Sequence, residues 1–393
     1  MLPPLSDEER RHSQAVAALV YRELMAAGGW LSFERFMELA LYAPGLGYYS
    51  AGGAKLGAGG DFVTAPEVSD LFGRCVARPC AAVLAAVGGG EILELGAGTG
   101  SLAAALLTEL AALGTLPERY AILEVSADLA ARQRARLARL PPGLCERVSW
   151  LERLPERPLR GVMLANEVAD ALPFRRFTWR GDQVRELGVA ATGVAPADSD
   201  SAFREQAIAA DGVLAEACQQ IFAALPELPA EGYTSEVCLR LDPWIASLSD
   251  CLGQGLLLLC DYGLPRRHYY HPQRMQGTLR CHYKQRAHDD PYINLGVQDI
   301  TAWVDFTRVA EAACASGLTV AGFCTQTAFL LACGIEELVG AATDDVARAR
   351  LAGEARRLLM PEEMGEAFKA MGLTRDIDIL LPGFALQDLR HLL

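Results

Sequence analysis

Residues 91–100 read Glu91-Ile92-Leu93-Glu94-Leu95-Gly96-Ala97-Gly98-Thr99-Gly100, and they constrain the fold more than any other stretch. A short apolar run ends in three glycines at alternate positions, and an Ala/Leu-rich segment follows at 101–113. That pattern is a buried strand, a tight loop and a helix. Glycine lets the backbone turn sharply and come close to a ligand. Dinucleotide-binding folds space their glycines as G-x-G-x-x-G, which leaves room for a pyrophosphate at the helix start. Here the third glycine comes one residue early, at Gly100, and Ser101 takes the usual place. A loop of Gly96, Gly98 and Gly100 behind the acidic Glu94 suits a cofactor without phosphate, with Glu94 placed to hold a cationic amino-acid end. The bland alternative is a strand-to-helix turn that holds nothing.

The rest of the chain repeats the alternation. Strands are expected at 120–125, 148–151, 161–165 and 255–260, with a second helix at 129–140. Strands alternating with helices predict an α/β fold, a Rossmann-like doubly wound parallel sheet with helices on both faces. Before it, residues 7–27 and 33–41 read as helices, the second capped by Ser32. A glycine-rich loop at 43–66 follows, then a helix from Thr64-Ala65-Pro66-Glu67 to about residue 84. About ninety residues separate the fourth and fifth strands, far more than one crossover helix needs. The expected division is therefore a helical and loop region at 1–88 with a glycine-rich lid, the cofactor domain at 89–174 and 252–393, and an inserted substrate or partner subdomain at 175–251. Within the insertion, 177–185 reads as a hairpin around Gly181-Asp182 and 212–224 as a helix. Residues 335–370 read as helical, ending at Gly372.

Candidate site residues fall at strand ends, where a doubly wound sheet places its ligand. Glu124 lies 24 residues beyond Gly100, at the end of the second strand, where a carboxylate accepts both ribose hydroxyls of an adenosine. The fourth strand runs out into Asn166-Glu167-Val168-Ala169-Asp170. Asn166 is placed for a substrate nitrogen or the cofactor's amino-acid end. If helical, this segment sets Glu167 and Asp170 one turn apart on one side. Its alternative is simple helix capping by Asn166 or Asp170.

Other features narrow the field. The formal net charge of −13 disfavours a nucleic-acid partner. The run Arg132, Arg134, Arg136 and Arg139 reads as a solvated helix face. The 11 cysteines are scattered without Cys-x-x-Cys spacing, as in a reducing compartment. His268, His271, Cys281, His282 and His288 cluster in sequence, but their irregular spacing argues against a metal site. No apolar stretch is long enough to cross a membrane, and the acidic start shows no signal core, so a bacterial cytoplasmic protein is expected.

Several stretches together resemble the MidA-type class I methyltransferases. They include Gly60-Asp61-Phe62-Val63-Thr64-Ala65-Pro66-Glu67, Glu94-Leu95-Gly96, Glu124-Val125-Ser126, Asn166-Glu167, Asp170-Ala171-Leu172-Pro173, Asp261-Tyr262-Gly263 and Val304-Asp305-Phe306. The resemblance implies S-adenosyl-L-methionine as cofactor, with Asp61 and Thr64 added to Glu94, Gly96, Gly98, Gly100, Glu124 and Asn166 as its binding set. It also implies a protein arginine methyltransferase making symmetric dimethylarginine on a subunit of respiratory complex I, the NADH:quinone oxidoreductase. A eukaryotic member would then work in the mitochondrial matrix. Asn166, Glu167 and Asp170 are the expected catalytic residues. The chain departs from the family pattern at Ala97, Thr99, Val168, Ala169 and Trp303. The competing readings are a methyltransferase for another substrate, an NAD-dependent oxidoreductase, and an assembly chaperone with a merely structural cofactor pocket.

Overall fold

The computed structural model of the chain describes residues 2–51, 64–193 and 202–393. Helix α1 (Asp7–Ala26) starts at Ser6, whose hydroxyl accepts from the Glu9 amide while the Glu9 carboxylate accepts from the Ser6 amide. Strand β1 (Trp30–Ser32) leads into α2 (Phe33–Tyr42), capped by Ser32 as its sequence predicts. The single helix expected from residue 64 to about 84 is instead two. Ser69 is extended and its hydroxyl accepts from the Leu71 amide, which ends α3 (Ala65–Val68) and starts α4 (Asp70–Ala86).

From residue 91 the expected alternation appears as β2 (Glu91–Leu95), α5 (Ser101–Ala112), β3 (Arg119–Leu123), α6 (Ala127–Leu137), α7 (Pro142–Cys145), β4 (Val148–Leu151) and β5 (Leu159–Asn166). The hairpin of β6 (Arg175–Arg180) and β7 (Gln183–Ala191) turns at Gly181 and Asp182, both at positive φ. Next come β8 (Phe203–Ala209), α8 (Gly212–Ala223), β9 (Thr234–Val237), α9 (Leu241–Cys251) and the long strand β10 (Leu252–Leu264). After α10 (Arg266–Tyr269) stand β11 (Arg280–Tyr283), β12 (Arg286–His288), β13 (Asp299–Thr301), β14 (Val304–Asp305), α11 (Phe306–Ala315) and β15 (Thr319–Thr325). The chain continues through α12 (Gln326–Ala332), α13 (Ile335–Gly340), α14 (Asp345–Leu359) and β16 (Phe368–Arg375). The continuous helix expected over 335–370 is therefore corrected to two helices and a strand. β16 is mostly buried between β10 and β15, so no polar alternation marks it in the sequence.

The main sheet runs β15-β16-β10-β5-β2-β3-β4, with β14 beside the end of β10. From β10 to β4 the strands are parallel, whereas β16 is antiparallel to both neighbours. Alternate side chains feed two cores. Ile92, Val162 and Leu256 pack with residues of α4 and α5 on one face. Leu93, Met163 and Leu257 pack with residues of α9 and α11 on the other. This is the layering of a doubly wound fold. The chain leaves β2 toward β3 on one side and returns from β4 to β5 on the other. A crevice opens beyond the strand ends at such a reversal.

A second, antiparallel sheet runs β1-β7-β6-β9, with β8 also on β7. It joins Trp30–Ser32 to residues 175–237. Gly188 lies against Trp30, where a Cβ would come within 2.2 Å of the indole, and the Trp30 Nε1 donates to the Gln206 carbonyl at 3.1 Å. A third sheet, β12-β11-β13, contributes Cys281 and Ile300 to the core that also holds α1 and α2. Among the described residues no helix is long and apolar enough to cross a membrane.

Candidate active site

A cavity of about 260 Å³ opens where β2, β3 and β5 end. Gly96 and Gly98 line it and Gly100 follows at the start of α5, with φ of 63°, 53° and 84°, left-handed values that favour glycine. Glu94 reaches it from β2 and accepts from the Tyr120 hydroxyl at 2.7 Å. Burial pushes the Glu94 carboxyl up to about 7, opposed by that hydrogen bond and reinforced by nearby Glu124. Glu124, just beyond β3, accepts from the Ser126 amide at 2.8 Å and from Gln133 Nε2 at 2.9 Å. Burial raises its pKa as well.

Two residues that the sequence reading passed over organise this loop. Gln133 is fully buried on α6. Its Nε2 also donates to the Gly98 carbonyl at 2.9 Å, and its Oε1 accepts from Trp150 Nε1 at 2.9 Å. It thus ties the glycine loop to Glu124. Glu67, on α3, accepts from the hydroxyls of Thr99 and Ser101, with Arg136 at 3.7 Å. The only sequence signal for Gln133 was its place within an arginine-rich helix, which read as a solvated face. Arg134 of that helix lies over the Trp150 ring at 4.7 Å.

At the end of β5, Glu167 takes a φ of 53°, unusual for a residue with a side chain. Such a conformation costs about 1–3 kcal/mol and persists only where its surroundings enforce it. Here the Glu167 amide donates to the Cys260 carbonyl at 2.9 Å. Its Oε1 accepts from the Ala65 amide at 3.2 Å and from Asn166 Nδ2 at 3.3 Å. Burial, with Asp170 nearby, pushes the Glu167 carboxyl up to about 8. The segment after it is a turn, so Glu167 and Asp170 do not share a helix face, which corrects the helical expectation. The reason is Asp261 at the end of β10. Its Oδ2 accepts from the amides of Val168, Ala169 and Asp170 at 3.2, 3.0 and 3.3 Å, folding them around one carboxylate. Asp170 lies behind the cavity wall. Its Oδ2 accepts from the Tyr262 hydroxyl, its Oδ1 has no partner among the described residues, and burial raises the carboxyl to about 6.

Of the expected residues, Glu94, Gly96, Gly98, Glu124, Thr64, Asn166 and Glu167 line one cavity. Gly100 closes the loop at the start of α5, and Asp170 sits one layer back. Asp61 lies outside the described residues. Among the described residues the buried Asn166 Oδ1 has no partner and so offers an acceptor to a ligand. The lining holds four carboxylates (Glu67, Glu94, Glu124 and Glu167) and no Lys, Arg or His among the described residues. Among those residues a pyrophosphate would find no cation. A sulfonium-bearing amino acid with an adenosine fits the donor set, because acids face its charges and Glu124 stands where ribose hydroxyls are held. In the histidine-rich region, His288 on β12 pairs in register with Cys281 on β11.

Residues 75–324 match the family model described as "Putative S-adenosyl-L-methionine-dependent methyltransferase". A protein from Burkholderia thailandensis crystallised bound to S-adenosyl-homocysteine is 41% identical, covers 100% of both chains and superposes with a TM-score of 0.93. The mouse mitochondrial protein arginine methyltransferase NDUFAF7 is 30% identical over 88% of this chain and 81% of its own length. Its zebrafish counterpart is 28% identical over 87% and 83%.

Proposed function

The chain belongs to the family of S-adenosyl-L-methionine-dependent methyltransferases, and from that premise we propose that it methylates arginine side chains of a protein. The observation that carries this reading is that every charged residue among the described lining of the cavity is a carboxylate, Glu167 among them. Such a site favours two cations side by side and repels phosphate or carboxylate acceptors. The mouse and zebrafish relatives, named as protein arginine methyltransferases, support the same acceptor. The family resemblance adds a finer reading: symmetric dimethylation of a subunit of the NADH:quinone oxidoreductase, in a bacterial cytoplasm or a mitochondrial matrix.

Gly96, Gly98 and Gly100 hold the cofactor with Glu94 at its amino-acid end and Glu124 at its ribose. Asn166, Thr64 and Asp61 complete that set. When bound, S-adenosyl-L-methionine supplies a methyl group whose C–S bond breaks with the electron pair left on sulfur. Glu167 orients the acceptor guanidinium through forked hydrogen bonds and draws its charge away from the nitrogen that forms the new N–C bond. The proton which that nitrogen sheds passes to the Glu167 carboxylate and then to water. Burial, reinforced by the Asp170 carboxylate, raises the proton affinity of Glu167 and so suits it to that task.

The test is Glu167→Gln, with methylation of a candidate subunit followed by mass spectrometry and S-adenosyl-homocysteine binding followed by calorimetry. Methylation should fall by about 10²–10⁴-fold, with affinity for S-adenosyl-homocysteine unchanged. Near-native methylation would remove Glu167 from the chemistry. A native protein that binds cofactor and subunit yet never methylates would favour the assembly-chaperone reading.

A further inference from the structure

The cavity has a second kind of wall. Tyr42 from the end of α2, Tyr49 from the loop after it and Trp244 from α9 line the same space as Glu167. The two tyrosine rings stack at 5.5 Å with an interplanar angle of 24°, and Tyr48 meets Tyr49 edge-on at 5.0 Å. Both hydroxyls are already committed. Tyr42 donates to the Ala171 carbonyl at 2.7 Å, and Tyr49 donates to Asp299 Oδ1 at 2.9 Å. Burial and the carboxylates of Asp299 and Asp170 hold both phenols protonated. What these side chains leave for a ligand is aromatic carbon, fixed in place by its own hydrogen bonds, beside a carboxylate.

We propose that Tyr42, Tyr49 and Trp244 form the acceptor subsite and select an alkyl guanidinium over an alkyl ammonium. This rests on the arginine reading above and adds the residues that enforce it. A guanidinium is planar, weakly hydrated and stacks on aromatic faces, and its fork matches a carboxylate. The ammonium of lysine is a compact, strongly hydrated point charge with no plane to stack. The aliphatic stem that carries either group is served equally by an aromatic wall, so the selection falls on the head group.

The experiment uses the full chain saturated with S-adenosyl-homocysteine. It titrates two peptides that differ only in one Arg or Lys, and follows binding by calorimetry. The native complex should bind the arginine peptide at least about tenfold more tightly. Tyr49→Leu and Trp244→Leu should each shrink that ratio severalfold, with affinity for S-adenosyl-homocysteine unchanged. Tyr49→Phe keeps the ring, loses only the bond to Asp299 and should retain most of the ratio. Trp244 is only partly buried, so its variant reports even if Tyr49→Leu folds poorly. A native complex that does not distinguish the peptides overturns the subsite, as does an intact ratio in Trp244→Leu. Discrimination in binding without any methylation by the native enzyme would sink the methyltransfer to arginine instead and leave the subsite standing.

Discussion

Glu167 is where local conformation and chemistry meet. Its carboxyl rises from the ordinary 4.5 to about 8, so the folded protein keeps a proton that the unfolded chain has released over that interval. The stability this group contributes is full below about pH 4.5 and is lost as the pH rises toward about 8. Glu167→Gln removes the carboxyl, so its melting temperature should decline less across that range. Parallel melting curves at every pH would assign the decline to another group. The carboxylate is also the form that accepts a proton, so the methylation rate should climb as the pH approaches about 8. At the floor of the cavity, Gly98 has a φ of 53°. Valine there adds about 1–3 kcal/mol of strain, and S-adenosyl-homocysteine affinity, measured by calorimetry, should drop at least about 10–100-fold. These glycines and Glu124 were legible because spacing alone places them at strand ends. Gln133 and Glu67 were not, because each acts through a fold-dependent contact with the glycine loop. Asp261 appeared in the sequence only within the resembling stretch, with no role attached.

At the level of elements, the four-residue helix α3 links the two halves of the site. Its first amide donates to Glu167, and two residues later Glu67 accepts from Thr99 and Ser101 in and beside the glycine loop. Hydrogen bonds to a charged group contribute about 1.5–3 kcal/mol each. Glu67→Ala should therefore weaken S-adenosyl-homocysteine binding by about tenfold or more and lower kcat as well. A loss confined to cofactor affinity would mean that α3 does not carry the effect to Glu167. The sequence showed a helix beginning here and missed its interruption, because Ser69 reads equally as a mid-helix serine or as a cap. It also missed β16, whose Lys369, Ala370 and Met371 favour helix by composition. The position between two strands overrode that preference, and no pattern of period two recorded it. At the β6–β7 hairpin the Gly181-Asp182 turn was readable, because both positions take a positive φ that these residue types favour.

Across the molecule, a formal net charge of −13 surrounds a cavity lined by four carboxylates. A basic acceptor protein is drawn to such a surface, and salt weakens that long-range attraction. The KM for an arginine-rich substrate should rise severalfold between about 0.05 and 0.5 M salt, while S-adenosyl-homocysteine affinity moves little. A flat KM would place recognition in short-range contacts alone. The pairing of β1 with β7 has a further consequence. The opening segment and the stretch between β5 and β10 are separate in sequence but share one hydrogen-bonded ladder. Trimming the first thirty or so residues would leave the β7 edge, and the Gly188 hollow where Trp30 rests, open to pairing with a stray strand. Anyone paring this protein down to its catalytic layers must remove both regions together or keep both.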